Sequence, residues 1–273
     1  MTQDLLDRDR PLRLQHMHTG LLLSVVSIAW LRSQDATVLE RLIRRHLSPQ
    51  EADFAQALPL AKRRFEWLAG RLAIKHGVAA YLRRSGGTPM PTRSVHVTPV
   101  SSGPTRGKPL VNAPLEVSLS HSADFAVAAC GPRPVGIDLE RSRPLPPPLR
   151  ALLALGPEGQ DDDALGGPGL SNMPEPLHWA CKEAVLKHYG VGLGVDSREV
   201  ALTSWRADGT FTWRPGPQLH RQVPAAAEPV NGWAGETAGY ALAIVGRLSP
   251  RSCGVSPRPS FGDGHPPSHE DSR

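Results

Sequence analysis

The stretch that decides the reading is Val135-Gly136-Ile137-Asp138-Leu139-Glu140. Side chains in a strand alternate between faces, so Ile137 and Leu139 point one way while Asp138 and Glu140 point the other. One face suits a core. The other presents two carboxylates ~7 Å apart along the strand, able to share a hard, oxygen-seeking cation such as Mg²⁺. A solvated strand edge would look the same in isolation, so the wider context has to decide.

That context begins at Trp179-Ala180-Cys181-Lys182-Glu183-Ala184-Val185-Leu186-Lys187, which reads as a compact helix over Trp179–Tyr189. Glu183 and Lys187 stand one turn apart, and Lys182 lies about 100° round from Glu183. Glu183 is then a candidate third acid for the metal, with Lys182 and Lys187 reaching phosphate oxygens. A surface ion pair is the competing reading. Upstream, Ser118-Leu119-Ser120-His121-Ser122 ends a strand, where Ser120 and His121 can donate to a phosphate or simply cap a turn. Arg63 and Arg71 are eight positions apart on a long helical pattern, Leu60–Leu82, and share a face. Guanidinium forks at that spacing can clamp a phosphate; a solvated basic face is the alternative. Gly103–Lys108 (GPTRGK) is not a phosphate-binding Walker loop, because Pro109 stands where the hydroxyl residue is needed.

A weak repeat links the two ends. Residues 122–131 (SADFAVAACG) resemble 237–246 (TAGYALAIVG) at an offset of 115, and Trp67, Arg71 and Lys75 match Trp179, Glu183 and Lys187 at an offset of 112. Chance likeness of Ala-rich strands would explain the first of these. Together they point to an α+β fold of two similar α/β subdomains related by a pseudo-twofold, with the active site in the cleft between them. The expected layout is a flexible N-terminus 1–19, an N-terminal subdomain 20–131, a C-terminal subdomain 132–249, and a disordered tail 250–273 rich in Pro, Ser and Gly. Strands are expected at Leu21–Trp30, Leu115–Ser120, Phe125–Cys130, Val135–Glu140, Glu199–Trp205, Thr210–Trp213 and Tyr240–Val245, with a helix over 35–47 and mostly loop over 85–114. Residues 141–177 form a Pro/Gly-rich linker with a short helix at Leu149–Leu155. Its Leu145, Leu149, Leu152, Leu153 and Leu155 beside Arg141, Arg143 and Arg150 suit docking of an acidic, amphipathic partner.

Composition bounds these readings. The chain has 273 residues and 40% hydrophobic content, too apolar for a wholly disordered protein. A net charge of +5 and a pI near 9.4 favour acidic or phosphorylated partners. Three cysteines without metal-type spacing argue against a disulfide framework and a zinc site. The longest apolar run, Leu21–Leu31, is too short to span a bilayer, and its flank carries Asp4, Asp7 and Asp9 rather than the basic start of a signal peptide. A cytoplasmic, monomeric protein is expected, without membrane or nucleic-acid partner.

In order and spacing, KRRFEWLAGR (62–71), RGKP (106–109), SLSHS (118–122), VGIDLE (135–140) and WACKEAVLK (179–187) resemble the 4′-phosphopantetheinyl transferases, specifically the two-domain Sfp-type group. The resemblance covers roughly residues 20–246. It implies transfer of the phosphopantetheine arm of coenzyme A to a serine of an acyl or peptidyl carrier protein, with release of adenosine 3′,5′-bisphosphate. It also implies Asp138, Glu140 and Glu183 as Mg²⁺ ligands, Glu183 as the base, and Lys182 and Lys187 at the pyrophosphate, Lys187 with a catalytic part. Arg63, Arg71, Lys108, Ser120 and His121 are then expected at the remaining phosphate and adenine end. A Mg²⁺-dependent nuclease using Asp138, Glu140 and Lys182, and a non-catalytic carrier-binding module, are the rival readings.

Overall fold

The computed structural model describes residues 5–17, 19–153 and 169–247. Its first part comprises β1 (Leu12–His16), β2 (Leu22–Ser27), α1 (Ile28–Ser33), α2 (Ala36–His46), α3 (Pro49–Ala57) and α4 (Ala61–Arg84). There follow β3 (Val97–Pro99), β4 (Pro109–Val111), β5 (Glu116–Ser122), β6 (Phe125–Gly131) and β7 (Gly136–Arg141). The last part holds α5 (Pro147–Leu153), α6 (Glu175–His188), β8 (Val200–Trp205), β9 (Thr210–Pro215), α7 (Pro217–Gln222), β10 (Gly232–Thr237) and β11 (Tyr240–Val245). Helices and antiparallel sheets are mixed, as an α+β fold requires. Among the described residues, no helix is long and apolar enough to cross a membrane.

Two main sheets organise the chain, in the orders β1-β2-β6-β5 and β7-β11-β10-β9-β8, and β3 pairs with β4 in a small hairpin. Period-two alternation assigns each strand to two cores. On β6, Ala126, Ala128 and Cys130 face α4, while Phe125, Val127 and Ala129 turn to the second sheet. On β11, Ala241, Ala243 and Val245 face α6, while Tyr240, Leu242 and Ile244 turn to the first. Ile137 and Leu139 of β7 join this shared layer, leaving Asp138 and Glu140 on the side of α6. Close approach of α6 explains Gly136. A Cβ there would lie 1.9 Å from the Ala184 carbonyl oxygen, so any side chain would push the helix off the strand. The hairpins β5–β6 and β10–β11 turn through Ala123 and Ala238, whose φ values of 48° and 49° match, as do their places in the two repeated segments.

Several expectations are revised. The segment 1–19 was expected to be frayed, yet β1 pairs with β2 along its length, and Leu5 and Leu6 are buried. The strand expected over Leu21–Trp30 stops at Ser27, whose hydroxyl accepts the Trp30 amide at 3.0 Å and starts α1. Residues 85–114 are mostly loop, as expected, with β3 and β4 as two three-residue strands, whereas the Gly-interrupted GWAGET, given no strand from the sequence, forms β10 between β9 and β11. The linker leucines are not a free docking patch. Leu145 and Leu153 are buried against Trp179 with Leu149 and Leu152 packed beside them, and Arg150 pairs with Glu175 at 2.8 Å. Leu155 and the tail 250–273 lie outside the described residues.

Candidate active site

Strand β7 and helix α6 meet where Asp138 faces Lys187. Asp138 is 2% exposed, and its Oδ1 accepts from Lys187 Nζ at 2.5 Å and from Ser120 Oγ at 2.7 Å. Its Oδ2 is buried without a hydrogen-bond partner. Two residues along, the half-buried Glu140 accepts from Ser122 Oγ at 3.1 Å. Glu183, one turn before Lys187 on α6, is also buried.

These carboxyls repel one another in a poorly solvated space. Burial, and then the charge of Asp138, pushes Glu140 up to about 7, against the pull of the Ser122 hydroxyl and Lys187. Glu183 is likewise pushed up to about 7, by burial and then by Asp138, with Lys187 opposing. Among the described residues, no three His, Cys, Asp or Glu side chains converge closely enough to hold a metal ion in this arrangement. Lys187 and Ser120 both donate to one Asp138 oxygen, and Ser122 donates to Glu140. The donor chemistry still fits a hard cation: an unpartnered buried carboxylate oxygen lies beside two carboxyls whose charges burial penalises, and a divalent ion would relieve all three.

A pocket of ≈ 400 Å³ opens on α4 and is lined by Arg63, Glu66, Trp67, Arg71, His121 and the aromatic ring of Phe54, among others. Arg71 lies with its guanidinium carbon 5.0 Å from the Trp67 ring centroid and donates to the Val97 carbonyl at 2.5 Å. His121 lines the pocket from β5, between Ser120 and Ser122, whose hydroxyls reach Asp138 and Glu140.

The expected site residues therefore divide. Asp138, Glu140, Glu183 and Lys187 come together, and Arg63, Arg71 and His121 share the pocket. Lys108 leaves this group: its neighbours Gly107 and Pro109 line the pocket, but its ammonium pairs with Glu116 at 2.6 Å and borders a different cavity beside His188 and Tyr189. Lys182, expected at the pyrophosphate, is wholly buried, on a different side of α6 from Glu183 and Lys187. Ser120, expected at a phosphate, donates to Asp138 instead. Phe54, Glu66 and Trp67 as pocket walls carry no signal of that role in the local sequence. For Ser122 as the partner of Glu140, the period-two serines 118, 120 and 122 are the available signal.

No family model and no curated protein matches the chain. Among solved structures, it is similar to a holo-(acyl-carrier-protein) synthase from Bacillus anthracis in complex with CoA (3′,5′-ADP). The two share 25% identity over 42% of this chain and 96% of that one, with a TM-score of 0.33.

Proposed function

We propose that this chain is a 4′-phosphopantetheinyl transferase of the two-domain Sfp-type group. On this reading, subdomains 20–131 and 132–249 are related by a pseudo-twofold, and coenzyme A lies between them. The observation that carries the reading is the juxtaposition of three carboxylates with Lys187 and, one strand away on β5, of His121 with a pocket presenting Arg63 and Arg71. It assembles on one molecule the residues of four of the five ordered motifs. The substrate would be the serine of an acyl or peptidyl carrier protein, met by a monomer in the cytoplasm.

The serine oxygen attacks the phosphorus that bears the pantetheine arm. The bond from that phosphorus to the adenosine-side phosphate oxygen breaks, and adenosine 3′,5′-bisphosphate leaves. Glu183 takes the serine proton, directly or through a bound water. Asp138, Glu140 and Glu183 would hold Mg²⁺, which would supply charge neutralisation at the pyrophosphate. Lys187 adds a fixed positive charge at the same oxygens, and Arg63, Arg71 and His121 grip the 3′-phosphate and adenine end. Charge neutralisation and positioning are the main needs of such a transfer.

The test is the intact mass of a purified apo-carrier protein after incubation with this protein, coenzyme A and Mg²⁺. A gain of one phosphopantetheine supports the reading, and an unchanged carrier mass across acyl and peptidyl carriers overturns it.

A further inference from the structure

β5 and β7 belong to different sheets and share no backbone ladder, yet they lie side by side, joined by a row of serine hydroxyls. Ser118 Oγ accepts the Ile137 amide at 3.1 Å, and Ser122 Oγ accepts the Arg141 amide at 3.1 Å. β7 is an edge strand, so these hydroxyls satisfy amides that no strand partner reaches. Two of the three serines, Ser120 and Ser122, reach the carboxylates. Ser120 donates to Asp138 Oδ1 at 2.7 Å, and Ser122 donates to Glu140 Oε2 at 3.1 Å. The hydroxyls come from the first sheet and the carboxylates from the second.

We infer that Ser120 and Ser122 are positioning residues that fix the rotation of the β7 carboxylates from the neighbouring sheet, so that the cation site is assembled only while the two sheets abut. The inference rests on the proposed transferase reading and assigns these serines a task distinct from holding coenzyme A. A hydroxyl has one hydrogen to give. Spending it on Oδ1, beside the Lys187 ammonium, fixes the carboxylate with its buried Oδ2 left without a protein partner. Outer hydrogen bonds of this kind set ligand geometry, and removing one typically weakens metal binding by about 10–100-fold.

Ser118 supplies the internal control, because it stitches the same seam but touches no carboxylate. The experiment is a Mn²⁺ titration, followed by electron paramagnetic resonance, of the full chain with saturating coenzyme A, alongside thermal melts. Ser120→Ala should weaken Mn²⁺ about 10–100-fold, Ser120→Thr should restore much of it, and Ser122→Ala should weaken it less. Ser118→Ala should lower the melting temperature while leaving Mn²⁺ affinity in place. Should Ser120→Ala fail to fold, Ser122→Ala at its half-buried position reads the same effect. Equal Mn²⁺ affinity in wild type and both carboxylate-facing variants overturns the positioning role and leaves the transferase reading standing. Equal losses in Ser118→Ala and Ser120→Ala overturn it too, by showing that the seam's integrity alone matters. A wild type that transfers no phosphopantetheine and binds no Mn²⁺ overturns the transferase reading, and the positioning role with it.

Discussion

Helices α4 and α6 each lie across a sheet, and each carries a Trp, a charged residue and a Lys at four-residue spacing: Trp67, Arg71 and Lys75 on one, Trp179, Glu183 and Lys187 on the other. The two lysines do different work. Lys75 is wholly buried, paired with Glu51 at 2.7 Å and donating to the Val95 and Thr92 carbonyls at 2.5 and 3.3 Å. It ties α3 and the loop before β3 to α4. The side chain of Lys187 is 24% exposed and meets Asp138, whose second oxygen is unpartnered. Each lysine thus meets a carboxylate with one unpartnered buried oxygen, Glu51 Oε1 and Asp138 Oδ2, and what differs is access: Lys75 is sealed in the core while Lys187 reaches the surface beside two further carboxyls.

The largest effect that would break this comparison is on stability. Lys75→Met leaves the Glu51 carboxylate without its ammonium, and removing one partner of a buried pair costs about 3–5 kcal/mol. Urea unfolding should show that loss, and wild-type stability in Lys75→Met would show that the pair does not hold α3 to α4.

Next is rate. Asp138→Ala should slow transfer by about 10²–10³-fold, the usual cost of one electrostatic group at a reacting centre. Its circular dichroism spectrum should be retained. Wild-type turnover at saturating Mg²⁺ would remove the strand carboxylates from the site.

Smaller, and on the other helix, is the pocket effect. Charge-assisted bonds from Arg63 and Arg71 are worth roughly 1.5–3 kcal/mol each. Calorimetry should therefore find either Ala variant weakened more towards coenzyme A than towards dephospho-coenzyme A, which lacks the 3′-phosphate. Equal weakening would place both arginines away from that phosphate.

Much of this was legible in the residues, and the failures are instructive. VGIDLE announced its two faces because Ile137 and Leu139 are apolar and Asp138 and Glu140 are not, and the structure buries one pair between the sheets. β10 escaped because Gly232 and Gly235 dilute its apolar pattern, and its place comes from ladders to β9 and β11. Lys182, about 100° round the helix from Glu183, is wholly buried, and the mixed Ala/Cys/Val/Leu pattern of α6 does not reveal that this side of the helix is enclosed. Nothing local in 141–153 reveals that Trp179 covers the linker leucines, so their pattern alone resembles an exposed patch. Pairing across sheets, as in Ser122 with Glu140, depends on which strands end as neighbours, and no short window carries that.

The smallest expected effect is a pH dependence that sharpens the contrast between buried bases and buried acids. His76 and His188 are lowered to about 4, chiefly by burial. Their neutral forms are favoured in the fold, so their contribution is complete above about pH 6.5 and is lost as pH falls towards 4. Glu140 and Glu183, raised to about 7, act oppositely: their contribution is complete below the unfolded value near 4.5 and is lost as pH rises through 7. Each group contributes a slope of at most about 1.4 kcal/mol per pH unit. In a chelator, the two trends should nearly cancel between about pH 4.5 and 6.5. Glu183→Gln should tilt the melting temperature upward with pH across that window, and an unchanged profile would show that Glu183 is not the strained acid described.

The central claim is that the acidic cluster performs a transfer that the α4 pocket alone cannot. The direct measurement is the time course of phosphopantetheine mass gained by an apo-carrier protein with wild type and with Glu183→Gln, each at saturating coenzyme A and Mg²⁺ and matched for folded fraction. Wild type should convert the carrier while Glu183→Gln lags by about 10²-fold or more, as loss of a general base predicts. Equal rates, or no mass gain with wild type, would contradict the account.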